Sequence, residues 1–149
     1  MNTGSFLHIV AELKHLAIIR DFIRNAATVF EVDPSAIPDI LQAVDESATN
    51  IIEHGYRGQP GPIDIEVKQE GDSLVVRLRD QAMPFDPTRI PAPDVNLPLE
   101  QRPVGGLGVY LTRRFTDAMI HRVTPQGGNE LTLVKKTFFG RDTREGGNT

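Results

Sequence analysis

Short alternating stretches and longer stretches of helical spacing divide this chain. Phe6 to Val10 is apolar and follows Gly4, which predicts a strand; Leu13, Leu16, Ile19, Phe22, Ile23 and Ala26 then repeat at helical intervals. Asp33 and Pro34 suit an N-cap and a first helical turn, opening a second helix that is expected to run to about His54. Gly55, Gly58, Pro60, Gly61 and Pro62 break it. Ile63, Ile65 and Val67 next alternate with Asp64, Glu66 and Lys68, and Leu74 to Leu78 alternates again after a Gly71-Asp72 turn, predicting an antiparallel hairpin that ends at Asp80. Pro87, Pro91, Pro93, Pro98 and Pro103 mark a long connection, read as a lid or a disordered insert. Helical spacing resumes at Val109, Leu111, Thr112 and Phe115. Two β-rich runs, Met119 to Val123 and Leu131 to Phe139, flank a Gly127-Gly128 turn, and a tail over residues 141–149 is expected to fray from a domain over 1–140. The order of elements predicts an α+β fold, a mixed, mostly antiparallel sheet covered by helices on one face.

Composition narrows the function classes. At 149 residues there is room for about one domain, so the substrate is expected to be another molecule. A net charge of -4 and a pI near 5.5 disfavour nucleic acid as a partner, because backbone binding relies on clustered Lys and Arg. The absence of cysteine excludes disulfides, thiol catalysis and thiolate-held metals. No apolar run approaches the roughly 20 residues of a membrane span, and Met1 to Glu12 lacks a signal-peptide layout, so no membrane association and a cytoplasmic location are expected.

Three segments carry candidate chemistry. On the second helix, Ile37, Leu41, Val44, Ala48, Ile51 and Ile52 are predicted to share one face, with Glu46, Asn50 and Glu53 nearly opposite. Any amphipathic surface helix shows such a pattern. Glu46 and Asn50, however, are four residues apart and project side by side, so one can hold an attacking hydroxyl while the other ligates a cation through its amide oxygen. Asp80 ends a strand; it is either a turn residue or a buried carboxylate able to accept a hydrogen bond from the exocyclic amine of adenine, with Met83, Pro84 and Phe85 walling the base. Gly105-Gly106-Leu107-Gly108 lacks the Gly-Lys-Ser/Thr of a Walker A loop and comes too late for a Rossmann opening. As a helix start it is either a hinge or a turn whose backbone N–H groups can approach phosphate oxygens.

Glu46-x-x-x-Asn50, Asp80 with Pro84-Phe85-Asp86, and Gly105-Gly106-Leu107-Gly108-Val109-Tyr110-Leu111 together resemble the N, G1 and G2 boxes of the GHKL ATPases, which include gyrase, MutL and the histidine kinases. Ala43 to Asn50 and His54-Gly55-Tyr56 are similar to the short form of that superfamily, the bacterial anti-sigma factor serine kinases, over Leu16 to Lys135. The resemblance implies a two-layer α/β sandwich of Bergerat type that uses ATP and Mg²⁺. It makes Glu46 the general base, Asn50 the Mg²⁺ ligand, Asp80 the adenine reader, Gly105, Gly106 and Gly108 lid glycines beside Leu107, and Arg20 a partner contact on the first helix. It also implies a protein serine/threonine kinase, commonly a homodimer, that binds a sigma factor in one state and phosphorylates an anti-anti-sigma (STAS-type) antagonist in the other. A binding module gated by ATP and ADP without catalysis is the alternative; a detached histidine-kinase catalytic domain would lack its phospho-accepting hairpin here. Two positions depart from the family pattern. Ala82 stands where a glycine is usual, which would cost roughly 1 to 2 kcal/mol if φ were positive. Asn129 stands where a threonine usually helps hold the base, and it retains hydrogen-bonding capacity.

Overall fold

The computed structural model describes residues 4–89 and 106–140, with 106–108 described through their backbone. Gly105, the proline-rich stretch from Pro91 to Pro103 and the tail over 141–149 lie outside the described residues. In chain order the elements are β1 (Ser5–Val10), α1 (Leu16–Val29), α2 (Ile37–Asn50), β2 (Pro62–Glu70), β3 (Ser73–Asp80), α3 (Gly106–Arg114), β4 (Ala118–Val123) and β5 (Asn129–Lys136). The strands form one sheet in the order β1-β2-β3-β5-β4. The expected mixed sheet is antiparallel at every described pairing.

Strand alternation decides which face is covered. Ile63, Ile65, Val67, Leu74, Val76, Leu78, Leu131 and Leu133 are buried together with Ile19, Ile23 and Ala27 of α1 and Ile40, Ala43, Val44 and Ala48 of α2. Each fully buried Ile or Leu contributes at most about 1.5 to 3 kcal/mol, so the sheet-helix seam is the main source of stability. The opposite face of the sheet carries cross-strand charges instead. Arg79 donates to Glu66 at 3.0 Å and to Glu130 at 2.7 Å, and Arg122 donates to Glu130 at 2.7 Å. Such pairs satisfy polar groups across adjacent strands on that face.

Two features of α2 differ from the simple amphipathic reading. Its buried positions are Ile40, Ala43, Val44, Ser47 and Ala48, whereas Ile37 and Leu41 are only partly buried. The stripe is broader because α2 packs against both α1 and α3. The helix also does not continue regularly to His54: Ile51–Gly55 forms a π-helical turn closed by Tyr56 N–H donating to Ile51 O at 2.8 Å. The Tyr56 hydroxyl then donates to Pro62 O at 2.8 Å and accepts from Gln81 N–H at 2.7 Å, joining the helix end to the start of β2 and to the loop after Asp80. The predicted cap is present, with Asp33 accepting from Ser35 N–H at 3.0 Å ahead of a short 3-10 turn over Pro34–Ala36.

Candidate functional site

The last residue of β3 and the first residue of β5, Asp80 and Asn129, face each other in register. Both are buried. Asn129 Nδ2 donates to Asp80 Oδ1 at 2.9 Å, and also reaches Met83 O at 3.2 Å and Ala82 O at 3.3 Å. Its Oδ1 accepts from Phe85 N–H at 2.9 Å and lies 2.7 Å from His121 Nε2. Because that oxygen already faces a backbone donor, the amide orientation is determined and His121 must donate through Nε2. Asn129 thus organises the loop from Ala82 to Phe85 as well as contacting Asp80.

Ala82 N–H donates to the same Asp80 oxygen at 2.9 Å. Burial pushes the Asp80 carboxyl above its ordinary range, opposed by the bonds from Asn129 and Ala82 and by the neighbouring His121. Both hydrogen bonds converge on Oδ1; Oδ2 makes none among the described residues. A carboxylate held in this way presents its other oxygen as an acceptor for a ligand N–H.

A cavity of about 50 Å³ opens beside this pair, lined by residues that include Ser47, Asn50, Asp80, Met83, Phe85, Thr112, Met119, His121, Asn129 and Leu131. Its volume exceeds the roughly 10–15 Å³ that one water needs. Met83 and Phe85 are 80% and 49% exposed, which places apolar surface at the mouth where a flat ring could rest. Asn50 is half-buried, and its amide makes no hydrogen bond among the described residues, so its oxygen is available to a cation. No group of three or more His, Asp or Glu side chains able to hold a metal occurs among the described residues. A single amide oxygen such as that of Asn50 fits a hard cation like Mg²⁺, which binds through one or two protein groups and takes its remaining ligands elsewhere.

Glu46 precedes Asn50 by one helical turn and lies outside the residues that line the cavity. Desolvation, followed by the charge of Asp45, raises its carboxyl pKa, while Gln42 Nε2 donates to Oε2 at 3.0 Å and works in the opposite direction. Arg20 on α1 donates from Nε to Asp45 Oδ1 at 2.9 Å, so it joins α1 to α2 away from the cavity. Gly106, Leu107 and Gly108 begin α3, the expected place for a glycine-rich helix start. Arg113 of α3 donates to Pro87 O at 3.3 Å and also to Thr88 O, tying the helix to the segment just before residue 90.

Ser47, Thr112, Met119, His121 and Leu131 escaped the sequence reading as site residues. The signal for His121 was strand alternation: it pairs with Leu131, two positions after Met119 pairs with Leu133, and so shares the inward face. Thr112 was marked only by its helical spacing with Val109 and Phe115, and Ser47 carried no comparable mark. At Ala82, φ is not positive, unlike at Glu31 and Arg57, and its buried methyl lies where a Cβ on Gly55 would come within 3.2 Å. Ala82→Gly is therefore expected to leave nucleotide affinity unchanged and to lower stability by about 1 kcal/mol, through a lost buried methyl and added chain entropy. Urea unfolding and calorimetry on the two proteins check this; a tenfold gain in ATP affinity would contradict it.

Residues 9–135 match the model of the histidine kinase-like ATPase domain. The chain is 30% identical over 115 residues to the serine-protein kinase RsbW of Bacillus cereus strain B4264, covering 74% of this chain and 72% of that protein. It is 32% identical over 117 residues to the serine-protein kinase RsbW of strain AH187, with the same coverage of 74% and 72%. A crystal structure of the RsbU and RsbW domains of a Mycobacterium tuberculosis protein superposes with a TM-score of 0.60 at 20% identity, covering 91% of this chain. This chain spans 34% of that larger one. No helix among the described residues is long and apolar enough to cross a membrane.

Proposed function

Because this chain belongs to the histidine kinase-like ATPase family, we propose that it is an ATP- and Mg²⁺-dependent protein serine/threonine kinase that acts as an anti-sigma factor by partner switching. The observation that carries this reading is the cavity that the buried Asp80–Asn129 pair shares with Asn50, whose amide makes no hydrogen bond among the described residues and which follows the half-buried Glu46 by one helical turn. Asp80 accepts from the exocyclic amine of adenine, Asn129 holds Asp80 and the Ala82–Phe85 loop in place, and Met83 and Phe85 wall the base. Asn50 offers its amide oxygen to Mg²⁺, and the glycine-rich sequence Gly105-Gly106-Leu107-Gly108 supplies the backbone N–H groups for the phosphates in this reading. Bound Mg²⁺ supplies charge neutralisation on the phosphate oxygens. Glu46 orients the incoming serine hydroxyl and accepts its proton, and its raised pKa brings its basicity closer to that task.

The partners in this reading are a sigma factor and an anti-anti-sigma antagonist in the cytoplasm, with Arg20 contributing to a partner surface on α1 and the kinase acting as a homodimer. A single domain suffices because the phosphate acceptor belongs to another protein. Calorimetry with Mg²⁺-ATP, ADP and GTP tests the site. Asp80→Asn is expected to weaken adenine nucleotide binding by about 1 to 3 kcal/mol, since it loses a charge-assisted acceptor. Equal affinity for GTP in the unmodified protein would remove Asp80 as the base reader.

A further inference from the structure

Ser47 Oγ is the buried side-chain polar atom that has no hydrogen-bond partner among the described residues. The residue is 3% exposed and lines the cavity beside Asp80 and Thr112. A serine inside a helix ordinarily bonds the carbonyl four residues back or turns to solvent. Ser47 does neither, and an unsatisfied buried hydroxyl in a native structure calls for a ligand, a water or a functional reason.

We propose that Ser47 is a second base-reading residue, whose hydroxyl donates to a ring nitrogen of the bound adenine next to the amine that Asp80 recognises; this rests on the nucleotide-site reading above. The chemistry is complementary. An ionised Asp80 can only accept, so it selects a donor; a hydroxyl can rotate and donate, so it selects an acceptor. Adenine presents the two side by side, its amine flanked by N1 and N7. Ser47 also lies three residues before Asn50 on α2, so the same helix would hold the base through one side chain and the metal through the other. Hydrogen bonding of this kind rejects a ligand that lacks the matching atom, because the buried partner is then left unpaired.

The test compares the unmodified protein with Ser47→Ala by calorimetry in Mg²⁺, using ADP and two analogues that carry carbon in place of N1 or of N7. Urea unfolding of the ligand-free proteins runs alongside. Removing an unpaired hydroxyl should leave Ser47→Ala as stable as the parent or more so, yet weaken ADP binding about five- to tenfold. With one of the two analogues that difference should vanish. Equal ADP affinity in the two proteins, or a difference that persists with both analogues, would overturn the role of Ser47 and leave it as a buried hydroxyl alone. If the unmodified protein binds no ADP, the nucleotide reading itself fails and the assignment to Ser47 falls with it.

Discussion

Glu46→Gln is expected to lower phosphotransfer to a cognate antagonist by about a hundredfold or more while leaving ATP affinity close to that of the parent. The amide keeps the shape of the carboxylate and can still meet Gln42, but it cannot accept a proton. Glu46 is half-buried and outside the residues that line the cavity, so neither folding nor base binding should depend on its charge. The pH profile adds a signature. Burial and the adjacent Asp45 raise the Glu46 pKa, so a base at this position is lost as pH falls through a value above the ordinary glutamate range. Phosphotransfer by the parent should therefore drop on the acid side earlier than an exposed glutamate would dictate, and the residual activity of the glutamine variant should lack that limb. Asn50→Ala supplies the contrast, since it removes the proposed metal ligand and should weaken nucleotide binding itself. Paired measurements of ATP affinity and phosphate transfer distinguish the outcomes. A parent protein that binds ATP and its partner yet transfers no phosphate would favour the gated binding module, and wild-type transfer by Glu46→Gln would end the catalytic role of Glu46.

The second large effect is expected at Gly128. A Cβ built there falls 2.0 Å from the Asp80 carbonyl oxygen and 2.9 Å from Gln81 Cα, and both neighbours are backbone. Nothing in that contact can rotate aside. Gly128→Ala must push the start of β5 away from the end of β3, where Asn129 holds Asp80, so about 3 kcal/mol or more of stability and most of the nucleotide affinity should be lost together. Gly127→Ala is the control. Its φ of +90° strains an alanine, but among the described residues nothing beyond its chain neighbours lies within 4 Å of the added carbon, so it should cost about 1 to 2 kcal/mol and spare binding. Urea unfolding and ADP calorimetry on both variants read the difference; similar losses in the two would mean that turn strain, not the close approach to Asp80, governs this corner.

These expectations separate what was legible along the chain from what was not. Local periodicity is a short-range property, and it was enough for the strands around Ile63–Val67 and Leu74–Leu78, the helix after Leu16, the cap at Asp33 and the helix start at Gly106. The spacing from Glu46 to Asn50 likewise needs only helix geometry, and the boxes around Asp80 and Gly105 could be recognised as motifs. What the sequence by itself could not determine depends on partners distant along the chain. Asn129 meets Asp80 across 49 residues because β5 inserts between β3 and β4, a pairing that alternation does not specify. His121 enters the cavity through the register of β4 on β5, and Ser47 is buried on α2, which packs against both α1 and α3. The π-helical turn at Ile51–Gly55 is invisible to a 3.6-residue pattern, and the absence of strain at Ala82 follows from a backbone angle that no residue type reveals. The sequence determined the elements and the chemistry they carry; tertiary packing decided which side chains share one cavity, because burial and register are set by neighbours that the chain brings together only when folded.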